Sequence, residues 1–235
     1  SPLGSLLPPS GLTGTDPAAI PLDQVIDLSA RLASDGSLSW DAPPGRWTLL
    51  RIGYTTTGLP NHPSQDEGTG LEVDKMNPAA LRRHWDAALG RILRDAGPLV
   101  GKTLTSVLSD SWEAAQQNWT AEFPAEFQTR RGYAPLAFLP VLTGRVVGSL
   151  ADSEGFLDDF RRTCSDLITT HYFGEMRRLA EQAGLTYYGE SYGGKTYNEY
   201  QAGLNVGVNM AEFWFWRDRS KFNVGGLKAR ASIAH

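Results

Sequence analysis

The chain is poor in the residues that several common chemistries require. Among its 235 residues there is one cysteine, Cys164, which excludes an internal disulfide framework and any multi-cysteine metal site. Cys164 falls at a helical core spacing and reads as a buried structural thiol rather than a nucleophile. The four histidines, His62, His84, His171 and His235, lack zinc-ligand spacing, and two of them fall inside expected helices. There is no long basic run and the net charge is −4, which argues against nucleic acid as the main partner. No apolar stretch approaches the ~20 residues needed to span a bilayer. Gly193-Gly194-Lys195-Thr196 ends like a phosphate-binding loop, but the upstream glycine spacing is absent.

What the chain does contain is aromatic. Of its seven Trp and eight Tyr, many stand beside Asp, Glu or Asn. Such mixtures suit ligands with both apolar faces and hydroxyl rims, sugars above all, although plain cores use them too.

Residues 1–22, rich in Pro, Gly, Ser and Leu, read as a linker or irregular lead-in. Residues 23–60 hold short β-rich runs, Val25–Leu28, Leu38–Trp40 and Trp47–Tyr54, separated by Asp-Gly and Pro-Gly turns. They predict antiparallel strands of a β-sandwich element. From 61 to 235 the period changes. Asn77-Pro78 opens a helix whose apolar face carries Leu81, Trp85, Ala88, Leu89, Ile92 and Leu93, and Gly97-Pro98 stops it. Thr103–Leu108 predicts a strand, 121–131 a shorter helix, and 153–183 a long one striped by Phe156, Phe160, Cys164, Leu167, Ile168, Phe173, Met176 and Leu179. Gly184 caps that helix. Leu185–Tyr188 and Val206–Met210 predict two further strands, and Gly226–His235 the first turns of another helix.

Helix–strand alternation predicts parallel βα units, and each expected strand runs into a glutamate: Glu113, Glu190 and Glu212. In a β/α barrel the carboxyl ends of the strands converge on one face, so the three side chains can share a pocket. The alternative is that each is a solvated loop residue. Their repetition in register, each beside Trp, Tyr or Phe, favours the pocket. Carboxylates among aromatics, without a nucleophile–histidine pair, favour glycoside hydrolysis. In that chemistry one carboxyl protonates the leaving oxygen and a second carboxylate activates water or attacks the sugar. The polar loop 55–76 leaves two readings open. Asp66, Glu67, Glu72 and Asp74, with Asn61 and His62, offer oxygen ligands suited to calcium, or the loop is simply solvated.

The runs "WTLLRIGYTTTG", "NHP", "GLEVDKM", "SDSWEAAQQNWT", "FQTRRGY", "LPVLTGR", "FRRTCSDLI", "GESYGG" and "MAEFW" resemble, in this order, the α-L-rhamnosidases of glycoside hydrolase family 106. The resemblance covers about residues 25–235. It implies an α/β fold, a (β/α)8 TIM barrel with β-sandwich elements, an inverting mechanism and a calcium ion helping to hold the rhamnose hydroxyls. By position it implies Glu113 and Glu212 as catalytic residues, Glu113 being the general acid. Glu190, Asp110, Asn118, Trp119, Trp214 and Tyr192 would contact substrate, and Glu212 with Glu190 would hold the metal. The implied partner is a rhamnose-containing oligo- or polysaccharide, and the implied location extracellular or periplasmic.

Family members are several times longer, and continue past a segment like Lys228–His235 into a strand bearing a further glutamate, the candidate general base. The expectation is therefore an incomplete barrel whose remainder lies outside these residues. Two alternatives stand beside the inverting reading. One is a retaining glycosidase with Glu113 and Glu212 only ~5–5.5 Å apart; the other is a non-catalytic carbohydrate-binding module.

Overall fold

The computed structural model describes residues 18–61, 64–114, 116–210 and 224–234. Its elements in chain order are α1 (Pro78–Ala87), α2 (Leu89–Ala96), β1 (Ser106–Ser109), α3 (Phe123–Arg131), α4 (Leu150–Leu167), α5 (Glu175–Gln182), β2 (Thr186–Gly189), α6 (Glu199–Leu204), β3 (Val208–Asn209) and α7 (Val224–Ala234). A π-helical stretch, Ile168–Gly174, joins α4 to α5. The chain divides into two compact units, Ser1–Tyr54 with Ala121–Phe160, and Thr55–Thr120 with Arg161–His235.

The first unit is organised by phenylalanine. Phe123 and Phe127 on α3 and Phe156 and Phe160 on α4 are almost fully buried. Their rings, with Tyr133 and Phe138, lie 4.9–6.1 Å apart in edge-on, tilted and stacked pairs, a geometry that adds to the apolar burial. Ser149 and Asp152 start α4 with a reciprocal capping box: each backbone N–H donates to the other's side chain at 3.0 Å. The expected β-sandwich strands do not form a ladder among the described residues. Residues 22–54 instead show two 3-10 turns, Leu22–Gln24 and Ser29–Arg31, and one isolated antiparallel bridge, Leu32 to Leu38. Trp47, Leu49, Ile52 and Tyr54 have the residue types of a strand but remain exposed. A β-rich run becomes a strand only against a partner, because its propensity reflects packing on neighbours more than backbone preference.

The second unit holds the sheet. β1 pairs in parallel with β2, Ser106 opposite Thr186 through Ser109 opposite Gly189, and β2 pairs in parallel with β3, Gly189 opposite Asn209. The order β1-β2-β3 agrees with the βα alternation seen in the sequence. Among the described residues it is a three-stranded sheet and not a closed barrel. Val107 and Tyr187 are buried, whereas Leu108, on the other face, is exposed, as period-two alternation requires.

The helices follow the sequence with two corrections. Asn77 caps α1 as expected, its Oδ1 accepting the N–H groups of Ala79 and Ala80 at 2.9 and 3.2 Å. However, the backbone breaks at Ala88 (φ −102°, ψ −81°), so Leu81 and Trp85 are buried while α2 buries nothing and Ile92 is exposed. The long helix keeps its buried stripe but passes through the π stretch. Gly184, at φ +74°, turns the chain out of it in the left-handed conformation that glycine tolerates best. The short α6, capped by Asn198, has no counterpart among the sequence expectations.

Glu175, buried at the start of α5, accepts from Arg82 at 2.8 Å and from Arg178 at 2.6 Å. These hydrogen bonds, that of Arg178 foremost, hold its carboxyl below the ordinary 4.5 against the cost of burial. Because the folded value is the lower one, the stabilisation is present above the unfolded value and is lost as pH falls through the folded one. Glu175→Gln should therefore cost about 1 kcal/mol at pH 7, the exposed arginines moderating the loss. In urea titrations that difference from wild type should shrink below about pH 4. Phe127→Ala, emptying a fully buried ring position, should cost about 3–5 kcal/mol in the same titrations at every pH.

Candidate active site at the carboxyl edge of the sheet

Strand register carries the site. Glu190 N–H donates to the Ser109 carbonyl and Met210 N–H to the Gly189 carbonyl, both at 3.0 Å. Parallel pairing thus extends past the ends of β2 and β3. Beyond it, the Trp112 N–H donates to the Tyr192 carbonyl at 3.2 Å, so the two post-strand loops run side by side. Gly193, at φ +91°, allows this approach. A Cβ there would lie 3.2 Å from the Trp112 carbonyl oxygen, in a conformation that other residues rarely adopt. Gln116 Oε1 accepts the Lys195 N–H at 3.0 Å and ties the same loops again.

The two described glutamates occupy opposite environments. Glu113 is exposed, and its carboxylate accepts the Ser111 hydroxyl at 3.0 Å. Glu190 is buried, and its carboxylate accepts the Tyr192 hydroxyl at 2.8 Å. Tyr192 itself lies under Arg230 of α7, whose guanidinium carbon is 5.1 Å from the ring centroid. Arg230 also donates to the Ser191 hydroxyl at 2.9 Å and to Glu199 at 3.1 Å. Beneath these loops Ser109 and Tyr187 share a hydrogen bond at 2.6 Å. Burial pushes the Tyr172 phenol up to about 12 and that of Tyr187 well above its ordinary range. Both rings are therefore neutral hydroxyls at neutral pH.

The other expected residues separate. Asp110 is exposed and accepts the N–H of its neighbour Ser111 at 2.7 Å, a local turn bond. Asn118 is exposed and Trp119 half-buried; the Asn118 carbonyl faces the Cys164 thiol at 3.6 Å. Burial holds that thiol up at about 12, which agrees with a structural role for it. Glu212 and Trp214 lie outside the described residues, as does His62 of the acidic loop.

Several polar groups of that loop have partners within the protein. Glu72 is ion-paired with Lys75. Asp74 takes the Met76 N–H at 2.9 Å and the Thr120 hydroxyl at 2.7 Å. Asn61 bridges its own loop, donating to the Gly68 carbonyl and accepting the Gly70 N–H. Calcium takes six to eight oxygens, whereas no group of three His, Cys, Asp or Glu among the described residues could hold a metal ion. The part of the site that the sequence did not disclose is this wall: Lys75, Gln117, Tyr172, Glu199 and Arg230. Its members come from separate segments, and the close spacing of Glu72, Asp74 and Lys75 was the one available signal.

Carboxylates set among aromatic rings at the carboxyl edge of a parallel sheet are the equipment with which glycoside hydrolases work. The chain belongs to glycoside hydrolase family 106, described as alpha-L-rhamnosidase, which it matches over residues 10–235. The solved rhamnosidase of Novosphingobium sp. PP1Y is 32% identical and superposes with a TM-score of 0.83, over 99% of this chain and 23% of its own. A Formosa agariphila protein named "Putative beta-glucuronidase" is 42% identical over 209 residues, 89% of this chain and 18% of that protein. The chain thus spans about a fifth of the length of these relatives. No helix among the described residues is long and apolar enough to cross a membrane.

Asp74 and Thr120 provide a test of the wall. Thr120→Val, which removes one hydroxyl at nearly constant volume, should cost about 1 kcal/mol in chemical denaturation. Asp74→Ala, which strands two donors, should cost about 2–3 kcal/mol.

Proposed function

We propose that the chain carries the acid half of an α-L-rhamnosidase site, cleaving terminal α-L-rhamnosyl linkages with inversion and with Glu113 as general acid. The observation that supports this most directly is the placement of Glu113. It is solvent-open, next to the buried Trp112, on a loop tied to the segment that carries Glu190. An exposed carboxyl can meet an incoming glycosidic oxygen, and the sugar that covers it withdraws it from water. Glu190, oriented by the Tyr192 hydroxyl, presents a fixed carboxyl group to the same edge of the sheet. It suits a supporting role toward the sugar ring, where positive charge develops in an oxocarbenium-like transition state. Family membership and the rhamnosidase neighbour support the rhamnosyl assignment. The relative named a glucuronidase makes a β-glucuronide the natural competing substrate.

The assay is aglycone release from an aryl α-L-rhamnoside and from an aryl β-D-glucuronide by a protein that carries this chain together with the segment expected to supply the general base, with NMR of the first-formed sugar. The rhamnoside should be cleaved and the β anomer of L-rhamnose should appear first. Glu113→Gln should lower kcat by ~10²- to 10⁴-fold, the span of a lost general acid. Cleavage of the glucuronide alone would overturn the substrate reading, and first release of the α anomer would overturn inversion. Sugar affinity without turnover, unchanged by Glu113→Gln, would assign a binding module instead.

A further inference from the structure

Lys75 is a charged residue in a place that charges avoid. Its side chain is 9% exposed, and its ammonium is ion-paired with Glu72, itself 17% exposed. The ammonium also stands over two aromatic faces, 5.2 Å from the ring centroid of Trp112 and 5.6 Å from that of Tyr172. Ion pairs this secluded contribute little to stability, and apolar pairs of similar volume often serve as well. Its backbone is fixed with equal care. The Lys75 N–H donates to Gln117 Oε1 at 2.8 Å, and Gln117 returns a bond to the Val73 carbonyl at 2.8 Å. His171, in the π-helical stretch with Tyr172, meets the Met76 carbonyl at 2.8 Å. Single π turns recur at functional sites. The segment is therefore bolted on one side to the loop that follows β1 and on the other to the π stretch. From there its cation reaches the ring that immediately precedes Glu113.

We propose that Lys75 is a positioning residue for the acid: its ammonium, neutralised by Glu72, packs against the rings of Trp112 and Tyr172 and so sets the direction in which Glu113 leaves the sheet. The cation–π contact with Trp112 resists tilting of the indole, because the attraction requires the cation to stay over the ring face, and the contact with Tyr172 steadies the ammonium itself. The Trp112 N–H to Tyr192 bond anchors the backbone of the same residue. With both ends of Trp112 fixed, the next residue has little freedom of direction. This proposal rests on Glu113 being the acid.

The test compares wild type with Lys75→Arg and with the double variant Glu72→Gln, Lys75→Met, which removes both charges so that neither is left buried alone. The readouts are melting temperature, the Trp112 indole N–H resonance (assigned through Trp112→Phe), and kcat and KM on the aryl α-L-rhamnoside. The double variant should melt close to wild type, its Trp112 resonance should move, and kcat should fall ~10- to 100-fold with KM little changed, as a displaced catalytic group requires. Lys75→Arg keeps a cation over the rings and should recover most of the rate. Lys75→Gln, neutral yet able to hydrogen-bond Glu72, gives the same reading if the double variant fails to fold. An unmoved Trp112 resonance with unchanged kcat would overturn the proposal, as would an equal loss in Lys75→Arg. If wild type cleaves no rhamnoside, the functional reading falls by itself. The resonance then still decides whether Lys75 fixes the ring: a moved signal upholds it and an unmoved one overturns it.

Discussion

The bond from the Trp112 N–H to the Tyr192 carbonyl is the constraint on which the site depends. Parallel strands guarantee only that their ends arrive together; nothing in the ladder obliges the following loops to stay adjacent. Here the pairing is carried onward, first by the Glu190 N–H to Ser109 carbonyl bond and then by the Trp112 contact. One exposed and one buried carboxylate are thereby kept on neighbouring segments. Without that bond the two glutamates would share a sheet edge but no fixed relation.

Around this seam the protein places charges that are compensated pairwise. Lys75 answers Glu72, Arg230 answers Glu199, and Arg82 with Arg178 answers Glu175. The pairs of Arg230 with Glu199 and of Arg82 with Glu175 join distant segments, that of Arg178 with Glu175 fixes a helix start, and that of Lys75 with Glu72 lies within one loop. Their common value is geometric, since ion pairs near a surface contribute little net stability. The neutral, burial-raised phenols of Tyr172 and Tyr187 add hydrogen-bonding groups beside these charges without adding charge of their own.

Much of this was legible in the residues. Asn77-Pro78 marks a helix start because a cap and a first-turn proline act locally, and Gly184 marks an end for the same reason. The strands leading to Glu113 and Glu190 were legible because short apolar runs between helices have few other uses. The β-rich run Trp47–Tyr54 misled, since strand character depends on a partner that one segment cannot reveal. The contacts of the acidic loop were not legible: Asp74 spends its carboxylate on Met76 and on Thr120, a residue far along the chain. Lys75 over Trp112 was invisible for that reason as well, because cation–π contacts are a property of three-dimensional neighbours.

The π-helical stretch Ile168–Gly174 works as a phase adjuster. On a regular helix each residue advances the azimuth by about 100°, so a wider turn rotates everything that follows relative to what came before. Upstream, Cys164 and Leu167 face inward; downstream, Glu175, Met176 and Ala180 do. Loss of one residue from this stretch would restore a regular helix and swing the downstream face round by about 100°. Glu175 would turn away from Arg82, and Tyr172 from Lys75. Length in this segment is thus more constrained than residue identity, and the chain can accept substitutions there far more readily than a deletion.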